Sequence, residues 1–354
     1  MVPDAKKPVS SDSAVAVVVP FFNRRNTLLA TLVSIEKQTL APQRVILVDD
    51  GSTDDGTVVA RAWIDKVRGQ LECSLHGQTN AGPSAARNRG LDQARDCAYV
   101  AFLDSDDVWP SDFLSRTHGA LTASPRAVAA TCDRRFVYSG GTRPKTEDCS
   151  SLPRCPPVWM LENGAGIVST SLLRRSAVAR LGGFNPALLT GEDAALFMRM
   201  SLDGLWLHVP GRPVDLGCGV AQERGGEGNL SMKHSDRQLR WVKVYDQFFS
   251  EDGGRVFLEH PHCRRLMALR WYAAGKETYR NGSASEALAC FRKVLAFNPK
   301  RGRYYRWLVR AWLASLLQRR LHASIAPPRR TAETVRPVSG RPPTINIAGQ
   351  LAEH

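Results

Sequence analysis

The sequence predicts an α/β fold with a helical C-terminal extension, and three observations carry that expectation. A β-branched run, an amphipathic stretch and a second apolar run fill residues 14–50, the order of a βαβ unit. Two apolar runs end in aspartates, "VILVDD" and "VAFLDSDD". Beyond about residue 236 the apolar spacing becomes helical throughout.

The elements follow in order. "AVAVVVP" (14–20) reads as a buried parallel strand ending at a proline. In "RRNTLLATLVSIEKQT", Leu28, Leu32 and Ile35 recur at helical spacing. "RVILVDD" (44–50) is the second strand, and a right-handed crossover makes it parallel to the first. "GSTDDGT" is a turn, with Thr53 or Asp54 able to cap the helix of "VVARAWIDKV". "AGPSAARNRGLDQA" (81–94) is a loop feeding a helix, and "CAYVAFLD" (97–104) is a third parallel strand. In open α/β sheets ligands bind at the carboxyl ends of strands, so Asp49/Asp50 and Asp104/Asp106 should meet on one edge. "AVAATC" and "GIVSTSLL" read as short strands, "RRSAVARL" as a helix and "GGF" as a turn. "TGEDAALFMRMSLDG" opens a helix whose first-turn acids also suit its dipole. Three further helices are broken at "NGS" and "NPKRG", and "SASEALACFRKVLAFNP" resembles half of a tetratricopeptide repeat. One such unit cannot bury its own face, so a small bundle is expected.

Composition narrows the classes. The 354 residues are 43% hydrophobic and 23% charged, as in a globular protein with a sizeable core. There is no run of eighteen apolar residues to span a bilayer, and the leader lacks the apolar core of a signal peptide. A cytoplasmic enzyme with reduced thiols is expected: eight cysteines are scattered without a CxxC pair, and only "CSSLPRC" (149–155) has the spacing of a small disulfide loop or metal site. The net charge is +14, and residues 301–330 hold eight arginines and no acid. Such a run fits a solvated tail, an anionic membrane or nucleic acid. No nucleic-acid-binding motif accompanies it, so no specific nucleic acid is expected. A dinucleotide-binding dehydrogenase is disfavoured, since no G-x-G-x-x-G follows the first strand.

The acids suggest a metal. Mg²⁺ and Mn²⁺ take oxygen ligands, and Mg²⁺ is typically held by one or two carboxylates plus substrate phosphates. In an extended segment a D-x-D points both carboxylates the same way. A lone D-x-D reads more readily as an exposed acidic turn. A second acidic strand end beside it favours a ligand site.

Taken together, "VVVPFFNRRNTLLATLVSIEKQT", "VILVDDGSTDDGT", "NAGPSAARNRGLDQA", "YVAFLDSDDVW" and "GEDAALFMRM" resemble a family 2 glycosyltransferase of GT-A fold over about residues 14–235. The resemblance implies a Rossmann-like mixed sheet flanked by helices. It also implies inverting transfer of a sugar from a nucleotide-sugar to a glycan or lipid-linked acceptor, with Mg²⁺ or Mn²⁺. Members of the family commonly serve bacterial cell-surface or exopolysaccharide synthesis. By the same resemblance, Pro20, Phe22 and Arg24 meet the nucleotide, with Phe22 standing where many members have tyrosine. Asp50 matches the acceptor for a uracil-type base, with Asp49 beside it, which makes a UDP-sugar the expected donor. Arg87 lies where the family's loop approaches the nucleotide. Asp104 and Asp106 match the D-x-D, Asp106 as metal ligand and Asp104 toward ribose or metal-bound water, with Asp107 able to substitute in either role. Asp193 matches the general base and Glu192 its neighbour on the acceptor side, while Gly183 and Phe184 fall at the acceptor pocket. Arg224 is placed to clamp the diphosphate. "ERGGEGNLSMKH" departs from the family's histidine loop, leaving His234 a weak substitute.

The expected organisation is a flexible leader (1–13), a glycosyltransferase domain (14–235), a helical extension (236–322) and a disordered Pro/Arg-rich tail (323–354). The alternative function is a non-catalytic nucleotide-sugar-binding or scaffold protein acting through its helices. The intact set of acids argues against that alternative. On a helical wheel Tyr305, Leu308, Val309, Trp312 and Leu316 share one face, with Arg303, Arg306 and Arg310 opposite. This fits either a peripheral helix on an anionic membrane at the inner face of the plasma membrane or a helix packed on its neighbours.

Overall fold

A computed structural model describes residues 13–137, 143–217, 235–251 and 253–325. Most of the leader, the tail beyond 325, Arg224 and His234 lie outside the described residues.

The first half alternates strands and helices: β1 (Val15–Phe21), α1 (Leu28–Glu36), β2 (Arg44–Asp49), α2 (Gly56–Lys66), β3 (Cys73–Gly77), α3 (Pro83–Gln93), β4 (Tyr99–Phe102) and α4 (Phe113–Ala123). The second half is less regular: β5 (Ala127–Phe136), β6 (Lys145–Glu147), α5 (Pro156–Asn163), β7 (Ser171–Arg174), α6 (Arg175–Arg180), α7 (Glu192–Met200) and β8 (Leu205–Leu216). Four helices close the described chain: α8 (Arg237–Ser250), α9 (Pro261–Arg280), α10 (Ala284–Phe297) and α11 (Gly302–Ile325).

The strands form one mixed sheet in the order β3-β2-β1-β4-β7-β5-β6, with β8 paired to β5. β1 to β4 are mutually parallel, and β7 runs antiparallel to both β4 and β5. Helices cover both faces, which is why the central strands read as unbroken apolar runs. Val17, Val19, Val45 and Leu47 pack toward Leu28, Leu32, Trp63 and Phe113. Val18, Ile46, Val48 and Phe102 face the other way.

Two strands differ from the sequence expectation. β3 is an extra parallel strand, so "CAYVAFLD" is the fourth of the series in chain order. β8 is twelve residues long although it holds Pro210 and Pro213. Its register with β5 jumps between Cys132↔Val209 and Arg134↔Val214, and both prolines sit in that irregularity, where no ladder donor is needed.

The C-terminal helices share the α/β core. One cluster runs from Val18 and Phe102 through Met160 and Phe197 to Phe248, Trp271, Phe291 and Tyr304. α9 and α10, the repeat-like pair, are joined by a short turn as an αα-hairpin. Cys149 and Cys155 are both free thiols.

α3 can sit close on β1 because of Gly90: a Cβ there would lie 2.2 Å from Val18 Cγ1. Gly90→Ala gains about 1 kcal/mol of helix propensity but must push a helix off a buried strand, at about 1–3 kcal/mol. Net destabilisation is expected in urea titration, and Gly90→Ala should cost less in a Val18→Ala background.

Candidate active site

The parallel strands β1, β2 and β4 end on one edge. Phe21 pairs with Asp49, and Val18 pairs with Phe102, which brings Asp104 level with Pro20. The loops after β1 and β2 are locked together. Asn23, at φ 52°, accepts from the Thr53 N–H at 2.8 Å through Oδ1, and its own N–H donates to Ser52 Oγ at 3.0 Å. Arg24 and Phe22 are half-buried beside this junction, and Pro20 is buried at the end of β1.

Asp49 and Asp50 organise the same edge. Asp49 accepts from the Ser52 N–H at 2.8 Å and from the Thr57 hydroxyl. Asp50 accepts from Gln78 Nε2 (2.8 Å), the Ala81 N–H (2.9 Å) and the Gly82 N–H (2.8 Å), which fixes the turn entering α3.

Arg87 on α3 connects two halves of the site. Its Nη2 donates to Asp104 Oδ1 at 2.7 Å and its Nη1 to Glu192 Oε1 at 2.8 Å. Its guanidinium lies 5.2 Å from the Phe184 ring centroid. Burial opposes its charge, but Asp104 and Glu192 together hold its pKa above the ordinary arginine value. Arg87 thus serves the protein's own acids.

The three carboxylates of "DSDD" meet different surroundings. Asp104 is partly open, and its N–H donates to Ser169 Oγ at 3.1 Å. Asp106 is raised above its usual pKa by burial and by repulsion from Asp104, against the pull of Arg24. Asp107 points inward: its Oδ1 accepts from the Gly217 N–H at 2.8 Å, and burial with the neighbouring acids pushes it well above the carboxylate range. It therefore anchors the end of β8, which corrects its expected availability as a substitute ligand.

α7 supplies the remaining acids. Gly191, at φ +78°, turns the chain into the helix, and a Cβ there would meet Val244 and Trp241 of α8 at 3.4 and 3.5 Å. Asp193 is buried and accepts from the Ala194 N–H at 2.8 Å. Burial first, and the Glu192 charge second, push its pKa to about 7. Glu192 is turned to Arg87. Gly183 and Phe184 are held by Asn88, whose Nδ2 donates to the Phe184 carbonyl (2.7 Å) while its Oδ1 accepts from the Phe184 N–H (2.8 Å). Phe184 is 1% exposed and packs edge-on against Phe102, so it floors the site and presents no surface to an acceptor.

The structure thus brings Asp104, Arg87, Glu192 and Phe184 into one connected unit, with Asp106 and Asp193 at its margins. Asn88 and Ser169 hold this unit and Asn23 locks the loops beside it; nothing local in the sequence marks them, because their partners lie 29–96 residues away. A second group of metal-type donors, Asp133, Asp148 and His208, falls within 4.8 Å elsewhere. Its atoms bond one another and nearby backbone: His208 Nε2 lies 2.8 Å from Asp133 Oδ1, which also accepts from the Cys149 N–H.

Comparison with known proteins adds the following. Residues 16–182 match the family described as "Glycosyl transferase family 2". The uncharacterized glycosyltransferase YibD of Escherichia coli is 34% identical over 135 residues, 38% of either chain. The succinoglycan biosynthesis protein ExoW of Rhizobium meliloti is 34% identical over 153 residues, 40% of this chain and 46% of that one. The match thus spans less than half the length of these relatives. Among solved structures, Staphylococcus aureus TarS 1-349 in complex with UDP has a TM-score of 0.50 at 18% identity, covering 83% of this chain and 91% of that one. The mannosyltransferase PcManGT of Pyrobaculum calidifontis, in complex with GDP-Man and Mn²⁺, has a TM-score of 0.51 at 20% identity, covering 88% and 90%. These two likenesses establish the GT-A-type fold.

Removing Arg87 leaves Glu192 and Asp104 facing each other without a counter-charge. Arg87→Met should destabilise the protein by about 3 kcal/mol in urea titration. Arg87→Lys should recover little, because one ammonium does not reproduce a planar fork to two carboxylates.

Proposed function

Because residues 16–182 are a glycosyltransferase family 2 segment, we propose that the chain transfers a sugar from a nucleotide-sugar to a hydroxyl acceptor with inversion. One observation carries the reading. Asp193 is a buried carboxylate poised near neutral pH, and its neighbour Glu192 is tied through Arg87 to the D-x-D acid Asp104. The residue suited to take the acceptor's proton is thereby coupled to the residues suited to the donor.

The roles follow from the geometry. Asp193 accepts the proton of the acceptor hydroxyl as it attacks, a contribution of about 10²–10⁴-fold. Arg87 holds Asp104 and Glu192 in place with one hydrogen bond to each. Asp50 already uses three of about four acceptor sites, and the one left matches the single imide N–H of a uracil, in keeping with a UDP-sugar. Pro20, Phe22, Arg24 and Asp49 form the nucleotide side of the same edge, and Arg224, outside the described residues, is assigned to the diphosphate. The donor set fits a hard divalent cation, since Asp104 and Asp106 are neighbouring carboxylates, and Asp106 is raised first by burial and then by the Asp104 charge. Asp106 with Asp104 would hold Mg²⁺ or Mn²⁺, which when bound neutralises the leaving diphosphate. The relative that serves succinoglycan biosynthesis supports a role in polysaccharide synthesis, and a glycan or lipid-linked acceptor is proposed on that basis.

The test is a donor screen followed by kinetics. One nucleotide-sugar should raise the melting temperature only with Mg²⁺ or Mn²⁺, and Asp106→Asn should abolish that shift. No shift with any donor would favour a non-catalytic protein. Asp193→Asn should lower turnover by about 10²–10⁴-fold and leave donor binding intact. Normal turnover in that variant would refute the base.

The pH dependence has a definite sign. Asp193 is protonated below about 7, so kcat/KM should rise with pH through that value and then level. The Asp193→Asn variant should lack this limb.

A further inference from the structure

α11 has two unlike faces. Its inner face packs on the bundle: Tyr304 is fully buried with its ring 5.2 Å from Tyr272, and the Trp307 ring lies 5.6 Å from Tyr279. Leu308 sides with this face, and Arg303 stacks over Tyr272 and Tyr304, which corrects the helical-wheel expectation for both. The outer face carries Tyr305, Val309, Trp312, Leu313, Leu316 and Leu317, each 39–62% exposed. These are six of the twelve exposed large apolar residues in the described chain. At i, i+4, i+7, i+8, i+11 and i+12 they make one stripe about 18 Å long.

We propose that this outer face docks on an anionic lipid bilayer. Exposed Arg306 and Arg310 run along one edge of the stripe and Arg301 lies toward the other. Residues 287–332 hold eleven lysines and arginines and no acid. An apolar stripe rimmed by arginine is the form of a helix lying in the interfacial plane, apolar side chains among the acyl chains and cations at the phosphates. A second copy of the chain is a poorer occupant, because two-fold pairing of this face would oppose like charges. Among the described residues no helix is long and apolar enough to cross a membrane, so the contact is peripheral. The inference does not rest on the assignment of the active site, and its test reads no catalysis.

The experiment is vesicle co-sedimentation of the full chain. Vesicles of phosphatidylcholine with about 30 mol% phosphatidylglycerol are compared with phosphatidylcholine alone. The expected result is binding to the anionic vesicles that weakens in about 0.5 M NaCl. Leu313→Glu/Leu317→Glu and Arg306→Glu/Arg310→Glu should each weaken binding at least about tenfold. All four residues are exposed, and an unchanged melting curve verifies folding. Absence of binding, or binding equal in wild type and variants, overturns the proposal. A dimer in light scattering that Leu313→Glu/Leu317→Glu dissociates, without vesicle binding, assigns the face to a second copy instead.

Discussion

The site depends on a single cation buried among acids. The end of β4 and the start of α7 deliver Asp104, Asp106, Asp107, Glu192 and Asp193 to one region. Carboxylates gathered out of water repel strongly and each loses hydration. Arg87 answers this with one planar fork, one branch to each half of the site. A lysine would neutralise one charge but not hold two carboxylates in fixed directions. Everything else near the edge secures that fork: Asn88, one residue on, clamps the Phe184 backbone beneath it, and Gly90 lets α3 lie close enough to β1 to bring it into reach.

The helical C-terminal region is continuous with this arrangement. α8 presents Trp241 and Val244 to Gly191, the residue that turns the chain into α7. The burial that lifts Asp193 is therefore completed by residues beyond the matched family segment, which ends at 182. Tyr245 of the same helix is itself raised by burial, with Asp193 adding to the shift.

Much of the fold was legible in the sequence, because buried parallel strands write themselves as apolar runs. β1, β2 and β4 and the helices between them follow directly. β3 did not, since "CSLHG" is a half-buried edge strand that mixes small and polar residues. β8 did not, since two prolines argue against a strand unless an irregularity absorbs them. The site was legible at the level of which residues gather, and less so in what each touches. Asp106 and Asp107 are adjacent, and in extended chain they face opposite ways; the sequence cannot say which faces inward, and the Gly217 N–H that settles it is 110 residues on. The tie from Arg87 to Glu192 is not legible in the sequence, because the two lie 105 residues apart. The three bonds by which Asp50 holds the turn before α3 are equally hidden, since their donors lie 28–32 residues away.

The behaviour of Asp193 shows how the charges balance. An aspartate in the first turn of a helix ordinarily gains from the dipole and stays ionised. Here burial and Glu192 outweigh that gain, and Arg87 helps little because Asp104 and Glu192 already engage it. Among the described acids, Asp106 is likewise only partly offset by Arg24. Among the described residues, the acids at this edge outnumber the arginines that face them. On the proposed reading, a donor diphosphate would add negative charge to this edge, and Arg224 together with a divalent cation at Asp106 and Asp104 would offset it. Burial first, and the Glu192 charge second, leave Asp193 half-protonated near neutral pH, which is the condition for a base that must take a proton and later release it. On that reading the cation would offset the repulsion at Asp106 and Asp104, while the strength of the base comes first from the burial of Asp193.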